Sequence, residues 1–465
     1  MSVLHLSWFM QMRMKRLAFV LPGGEAWVRR LAEDLISQAR SLDMECLFFS
    51  QGPAPRDLDG VWIELDRLHE IPGLDRLISL QPEPEISESV LDREYRYHQA
   101  RFGGKFSAED VEKRYALWIN QARALYRLTM PDMVWVWNGT VYRSAAYAAA
   151  AMGMDIPLRF AEKGVMPGSW ALDPRGTNGE SSLLDSDESF PGEDAVTSMK
   201  TIIRGWDDMG SSAWGQPDRL AEKERNDLLA WAAGRKIVFF PGQVDSDSNI
   251  ICFSPHFRGS LEALNFLVKN LNDEYVFLVK PHPKGSAADE AYRRAVGGRG
   301  RVMTNIHVLD AIALSDLVVT INSTVGFEAA VRGKPVFLLG RGILSGRSFV
   351  RGWKPGQPLA EQITSWLESY RRSRERMARG ALSWASGLHR EYYMFIGDRP
   401  RLRARLTREI ESTRGEGSRR LDIRELEALL IPGSPAERCH GVPTRQLAGL
   451  TGRKLLRRIF NTKKQ

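Results

Sequence analysis

Cysteine is scarce in this 465-residue chain: the three present, Cys46, Cys252 and Cys439, lie far apart. That excludes a disulfide framework and a paired-cysteine metal site, and it suits a reducing compartment. Long apolar runs are missing too, since none approaches the ~18–20 residues that cross a bilayer. The first fourteen residues are apolar only briefly, and Arg13 and Lys15 follow that stretch rather than precede it. No secretory signal is expected, and the cytoplasm is the expected compartment. The eight histidines show no HExxH spacing, and GxSxG, GxGxxG and GxxxxGK[ST] do not occur. Zincin, serine-hydrolase, dinucleotide-fingerprint and P-loop readings therefore have no support. Repeats of solenoid length and low-complexity tracts are lacking as well.

What is present is ordinary globular usage, 43% hydrophobic and 26% charged, at a length that suits two domains. The formal charge is +8, and beyond Glu437 there are eight Lys or Arg and no acid. The body is thus neutral, which argues against a nucleic-acid-binding surface spread over the fold. In the tail, Leu447, Leu450, Leu455, Leu456, Ile459 and Phe460 alternate with Arg453, Lys454, Arg457 and Arg458. This suits an anionic membrane surface, at about 1 kcal/mol per basic residue; a solubilising tail is the alternative.

Short apolar runs alternate with helical patterns, the signature of parallel α/β layers. Strands are expected at Arg16–Leu21, Glu45–Ser50, Met133–Trp137 and Leu158–Glu162, with helices at Glu25–Leu42 and Tyr142–Met152. From Lys163 to Asp208 the periodicity fades into Gly, Pro, Ser and acids, which places a domain junction there. A second series has strands at Lys236–Phe240, Tyr275–Lys280, Leu317–Ile321 and Pro335–Leu339. The expected division is an N-terminal extension (1–14), a first Rossmann-like domain (15–208), a second (209–355), Arg-rich helices (356–437) and a basic membrane-associating tail (438–465).

Four polar clusters follow expected strands, where open α/β sheets collect ligands. In Asn322-Ser323-Thr324 a strand runs into a helix starting near Val325, so free N–H groups and two hydroxyls could attract a phosphate, with Glu328 a turn further on for a ribose hydroxyl. Simple N-capping is the alternative. Between two prolines, His282 is a stiffly held imidazole beside Lys280, suited to a phosphate or to a leaving group; a histidine satisfied by turn carbonyls would look the same. Gln243 opens the run Asp245, Asp247, Asn249, which resembles the start of a calcium loop. It fails at Ile250, where Gly is needed, and at His256, where Glu is needed. A loop cap or a carboxylate with covalent or acid–base chemistry remains. Glu162, after an apolar strand, is either a surface acid or a catalytic one.

In order, strand–GQVxxDS, strand–KPHP and strand–xNSTxGFEAxxxGKPV resemble the bacterial capsule polysaccharide biosynthesis proteins, the β-Kdo transferases of capsule export. The resemblance extends to Val136-Trp137-Asn138-Gly139, Glu162-Lys163-Gly164 and Leu172-Asp173-Pro174-Arg175-Gly176-Thr177-Asn178, and so covers about Met133 to Gly340. It implies a GT-B glycosyltransferase, with two Rossmann-like domains facing a central cleft and C-terminal helices, that uses CMP-β-Kdo with retention. His282 with Ser323 and Thr324 would bind the CMP phosphate, and Gln243, Lys280, Asn322 and Glu328 complete the expected donor site. Asp247 would be the nucleophile, with Asp245 the competing choice, and Glu162 the acid/base catalyst. Retention through two displacements needs two such groups ~5–5.5 Å apart, by analogy with retaining glycosidases. No metal and no cofactor beyond the donor is expected. One GT-B unit suits the single-module members, which prime a phosphatidylglycerol-type lipid with Kdo at the inner membrane within a capsule assembly and export complex. A transferase using CMP-sialic acid or a nucleotide hexose, or a non-catalytic scaffold, are the alternatives.

Overall fold

The computed structural model describes residues 15–23, 26–55, 57–186, 193–208 and 216–412. The extension 1–14, residues 413–437 and the basic tail 438–465 lie outside the described residues. The expected α/β class with two Rossmann-like units is the one observed.

The first unit contains strands β1 (Lys15–Leu21), β2 (Met44–Ser50), β3 (Val61–Glu64), β4 (Met133–Trp137) and β5 (Leu158–Lys163). They pair in parallel in the order β3-β2-β1-β4-β5. Leu17–Leu21 and Val134–Val136 are wholly buried, as continuous apolar strands covered on both faces must be. Leu31 and Leu35 of the helix Ala26–Arg40 are buried as their spacing requires, while Trp27 packs against Trp137 with ring centroids 4.3 Å apart and ring planes tilted by 42°. The order reverses between β1 and β4, which makes the carboxyl ends of those strands the ligand-facing edge of this sheet.

The second unit contains β6 (Ser169–Asp173), β7 (Lys236–Pro241), β8 (Tyr275–Lys280), β9 (Gly300–Val302), β10 (Leu317–Thr320), β11 (Val336–Leu338) and β12 (Arg351–Gly352). From β7 onward the sheet runs β9-β8-β7-β10-β11-β12, all parallel. Its order reverses between β7 and β10.

The observed division differs from the one expected at Asp208. The first unit includes Phe106–Glu162, and the second runs from Lys163 to Tyr393 and takes in Arg96–Lys105. Composition misleads here because the weakly periodic stretch is held by polar contacts within the second unit. Arg347 donates to the carbonyls of Ser186 and Leu183, and Arg332 pairs with Asp207. Residues 193–208, which looked irregular, form a helix. The Arg-rich segment also divides: Leu359–Arg372 and Arg374–Gly387 belong to the second unit, whereas Arg399–Ser412 belongs to the first, where Arg399 pairs with Asp34. Among the described residues no helix is long and apolar enough to cross a membrane.

Candidate functional site

At the reversal of the second sheet, a cavity of about 170 Å³ is lined by Gln243, Asp247, His282, Asn322, Ser323 and Thr324. Three loops that are distant in sequence therefore meet where the topology predicts a ligand crevice. Gln243, just past β7, binds across to the loop after β10. Its Nε2 donates to Asn322 Oδ1 at 2.9 Å, and its Oε1 accepts from Thr320 Oγ1 and Asn322 N, each at 3.1 Å. Asn322 Nδ2 in turn donates to the carbonyls of Asn249 (2.8 Å) and Arg341 (3.0 Å). This network fixes the floor on which Ser323 and Thr324 present their hydroxyls.

His282 Nδ1 accepts the Lys284 backbone N–H at 3.0 Å, so the imidazole proton sits on Nε2. Burial, joined by the charges of Lys284 and Lys280, pushes its pKa below the ordinary value against the pull of the Asp247 carboxylate. At neutral pH His282 is therefore a neutral hydrogen-bond donor. Its loop lies close to β7: a Cβ on Gly242 would stand 2.9 Å from the His282 backbone nitrogen, a distance only glycine tolerates.

Asp247 is the N-cap of the helix Ser248–Phe253, with Oδ1 accepting Asn249 N at 2.8 Å. The cap anticipated from sequence and the position on the cavity wall are thus the same side chain. One oxygen of this carboxylate is thus used to hold the helix.

Residues 216–352 match the family model described as capsule polysaccharide biosynthesis protein. The chain is similar to the protein FixF of Sinorhizobium fredii, 28% identical over 264 residues, covering 51% of this chain and 59% of FixF. It is also similar to the capsule polysaccharide modification protein LipA of Neisseria meningitidis serogroup A, 26% identical over 149 residues, or 30% of this chain and 20% of LipA. Only part of each relative's length is therefore spanned. Among solved structures it is similar to the beta Kdo 2,7 transferase of Thermosulfurimonas dismutans KpsC, with 19% identity, a TM-score of 0.38, and coverage of 67% of this chain and 90% of that one.

Not every residue expected at the site lines the cavity. Asp245 turns to the helix Ser260–Asn270, where Oδ1 accepts Ser260 N at 2.9 Å, while Oδ2 accepts the Ser286 hydroxyl. It ties the His282 loop to that helix. Lys280 Nζ reaches the carbonyls of Thr304 (3.0 Å) and Ile306 (2.5 Å), and burial lowers its pKa. Glu328 sits by Arg332 and Asp207, and burial raises its pKa; it is not among the cavity-lining residues. Glu162 belongs to the first unit, where Asn138 Nδ2 donates to its Oε2 at 2.7 Å.

Asn178, quoted above only as part of the resembling segment Leu172–Asn178 and not as a site residue, also lines the cavity. Its loop is organised by Asp173 at the end of β6. Asp173 Oδ1 accepts the amides of Arg175 (2.8 Å) and Gly176 (3.1 Å). Oδ2 accepts Ser181 Oγ (2.9 Å), Ser182 N (2.9 Å), Ser182 Oγ (2.6 Å) and Tyr392 Oη (2.8 Å). Burial would raise this carboxyl's pKa, but the hydrogen bonds outweigh it and hold it below the usual range. Gly342, Ile343 and Leu344, past β11, were missed as well and form a further part of the wall. The rule that parallel strands deliver ligands at their carboxyl ends would have pointed to that loop.

The division of labour between the two aspartates is testable. Asp245→Ala should weaken nucleotide affinity roughly tenfold, because one charge-assisted tether of the His282 loop is lost. Calorimetric titration of nucleotide measures this; unchanged affinity would leave Asp245 without a role in placing His282.

Proposed function

We propose that this chain is a retaining glycosyltransferase that moves Kdo from CMP-β-Kdo to a phosphatidylglycerol-type lipid or a Kdo-lipid in capsular polysaccharide biosynthesis. In this role the basic tail holds the enzyme at an anionic inner-membrane surface, beside the assembly and export machinery. The observation that carries the proposal is the meeting of Asp247, His282, Ser323 and Thr324 around one cavity in the domain that matches the capsule family.

On this basis the His282 Nε2–H and the hydroxyls of Ser323 and Thr324 bind the donor phosphate. Asp247 Oδ2 attacks the anomeric carbon; the bond to the phosphate oxygen breaks, and CMP leaves with the electron pair. The acceptor hydroxyl then attacks the same carbon, its proton passes to Glu162, and the Asp247 carboxylate is released. Two inversions give net retention.

A thermal-shift panel of CMP, UDP and GDP tests the donor assignment. CMP at about a hundred times its dissociation constant should stabilise the protein by about 2.7 kcal/mol, and His282→Ala should abolish most of that shift. A preference for UDP or GDP would overturn the CMP assignment, and the absence of any shift would overturn the site.

A further inference from the structure

The loop after β4 is shaped in an unusual way. Asn138 and Gly139 both take positive φ, 64° and 73°, a region that asparagine and glycine enter most readily. Gly139 has no alternative, since a Cβ there would lie 2.5 Å from the Phe160 ring. This bend stands at the order reversal of the first sheet, directly after Trp137, whose ring packs against Trp27.

The bend gives the Asn138 amide a fixed orientation. Its Oδ1 accepts the backbone N–H of the buried Thr140 at 3.1 Å and also the Thr140 hydroxyl. With both donors on the oxygen, Nδ2 faces Glu162 and donates to Oε2 at 2.7 Å. An N–H donor stabilises the ionised form of a carboxylate over the protonated one.

Resting on the retaining-transferase reading, we infer that Asn138, oriented by Thr140, is the positioning residue that holds Glu162 as the carboxylate which takes the acceptor's proton. The chemistry calls for that protonation state. A nucleotide phosphate departs as a stable anion without being protonated, so the group beside the acceptor has to begin as a base. A donor on Glu162 supplies this, whereas an acceptor there would favour the acid.

Asn138→Asp provides the sharpest test, because aspartate tolerates the same backbone conformation and keeps the Thr140 contacts. It places a second carboxyl against Glu162, and two neighbouring carboxylates resist joint ionisation. The acidic limb of the pH profile for transfer to acceptor should move up by about a unit or more, with kcat at neutral pH falling roughly tenfold. Thr140→Val should shift it in the same direction by less. A 13C carboxyl titration of Glu162 in wild type and Asn138→Asp gives the same comparison without turnover. An unmoved Glu162 titration overturns the inference, including the case in which rates fall but the limb stays where it was. A wild-type protein that performs no transfer, yet shows the titration shift, overturns the proposed reaction and leaves the Asn138–Glu162 coupling standing.

Discussion

Asp247→Asn should reduce sugar transfer roughly 10⁴-fold or more, the scale of loss on removing a covalent nucleophile, with the melting temperature nearly unchanged. The second half of that expectation comes from the cap. Asparagine and aspartate are about equally good N-caps, so the Asn249 contact and the helix Ser248–Phe253 survive the substitution. Asp247→Ala should be just as inactive but lose about 1 kcal/mol, because alanine cannot accept the Asn249 N–H. The two variants together separate the structural duty of one carboxylate oxygen from the chemical duty of the other. Transfer by Asp247→Asn within tenfold of wild type would reduce Asp247 to a cap.

Asp173→Ala should destabilise the protein by roughly 3 kcal/mol or more, among the larger effects for one side chain. The carboxylate is 1% exposed, and its removal leaves the donors from Arg175, Gly176, Ser181, Ser182 and Tyr392 to find other acceptors. By contrast, Asp185→Ala removes only the exposed ion pair with Arg175, worth about 0–1 kcal/mol. Chemical denaturation measures both. The pH dependence has a definite sign. The Asp173 pKa is lowered in the folded protein, so its stabilisation is complete above the unfolded carboxylate value and is lost as pH falls through the lower folded one. The stability gap between wild type and Asp173→Asn should therefore hold at neutral pH and narrow below about pH 4. Loss of Asp173 should also weaken nucleotide binding, since the loop it organises brings Asn178 to the cavity and seats Gly179 against Phe253. A variant as stable as wild type would contradict this account of the loop.

The sheets were legible where apolar runs were continuous. Met133–Trp137 and Tyr275–Lys280 have the same bounds in sequence and structure, because strands buried on both faces leave an unbroken apolar signal. Val61–Glu64, with alternate residues only partly buried, and the three-residue Gly300–Val302 were too short to stand out. At the site, the clusters after β7, β8 and β10 were visible because each follows such a strand. Which member of a cluster faces the cavity was not. Asp245 and Asp247 differ in tertiary partners that no local pattern records: a neighbouring helix and Ser286 for one, the start of its own helix for the other. Lys280 looked like a phosphate ligand, but is bound to the carbonyls of Thr304 and Ile306, which arrive from a distant loop. Asn178 lay in a segment of the resemblance, but nothing local marked it as a cavity residue, since its placement depends on the buried Asp173.

Intact-protein mass spectrometry after brief exposure to CMP-Kdo without acceptor, followed by peptide mapping, tests the central claim most directly. A mass increase of one Kdo residue, mapped to Asp247 and absent in Asp247→Asn, is the predicted result. CMP release and transfer to lipid with no adduct, or an adduct carried by another residue, would contradict it.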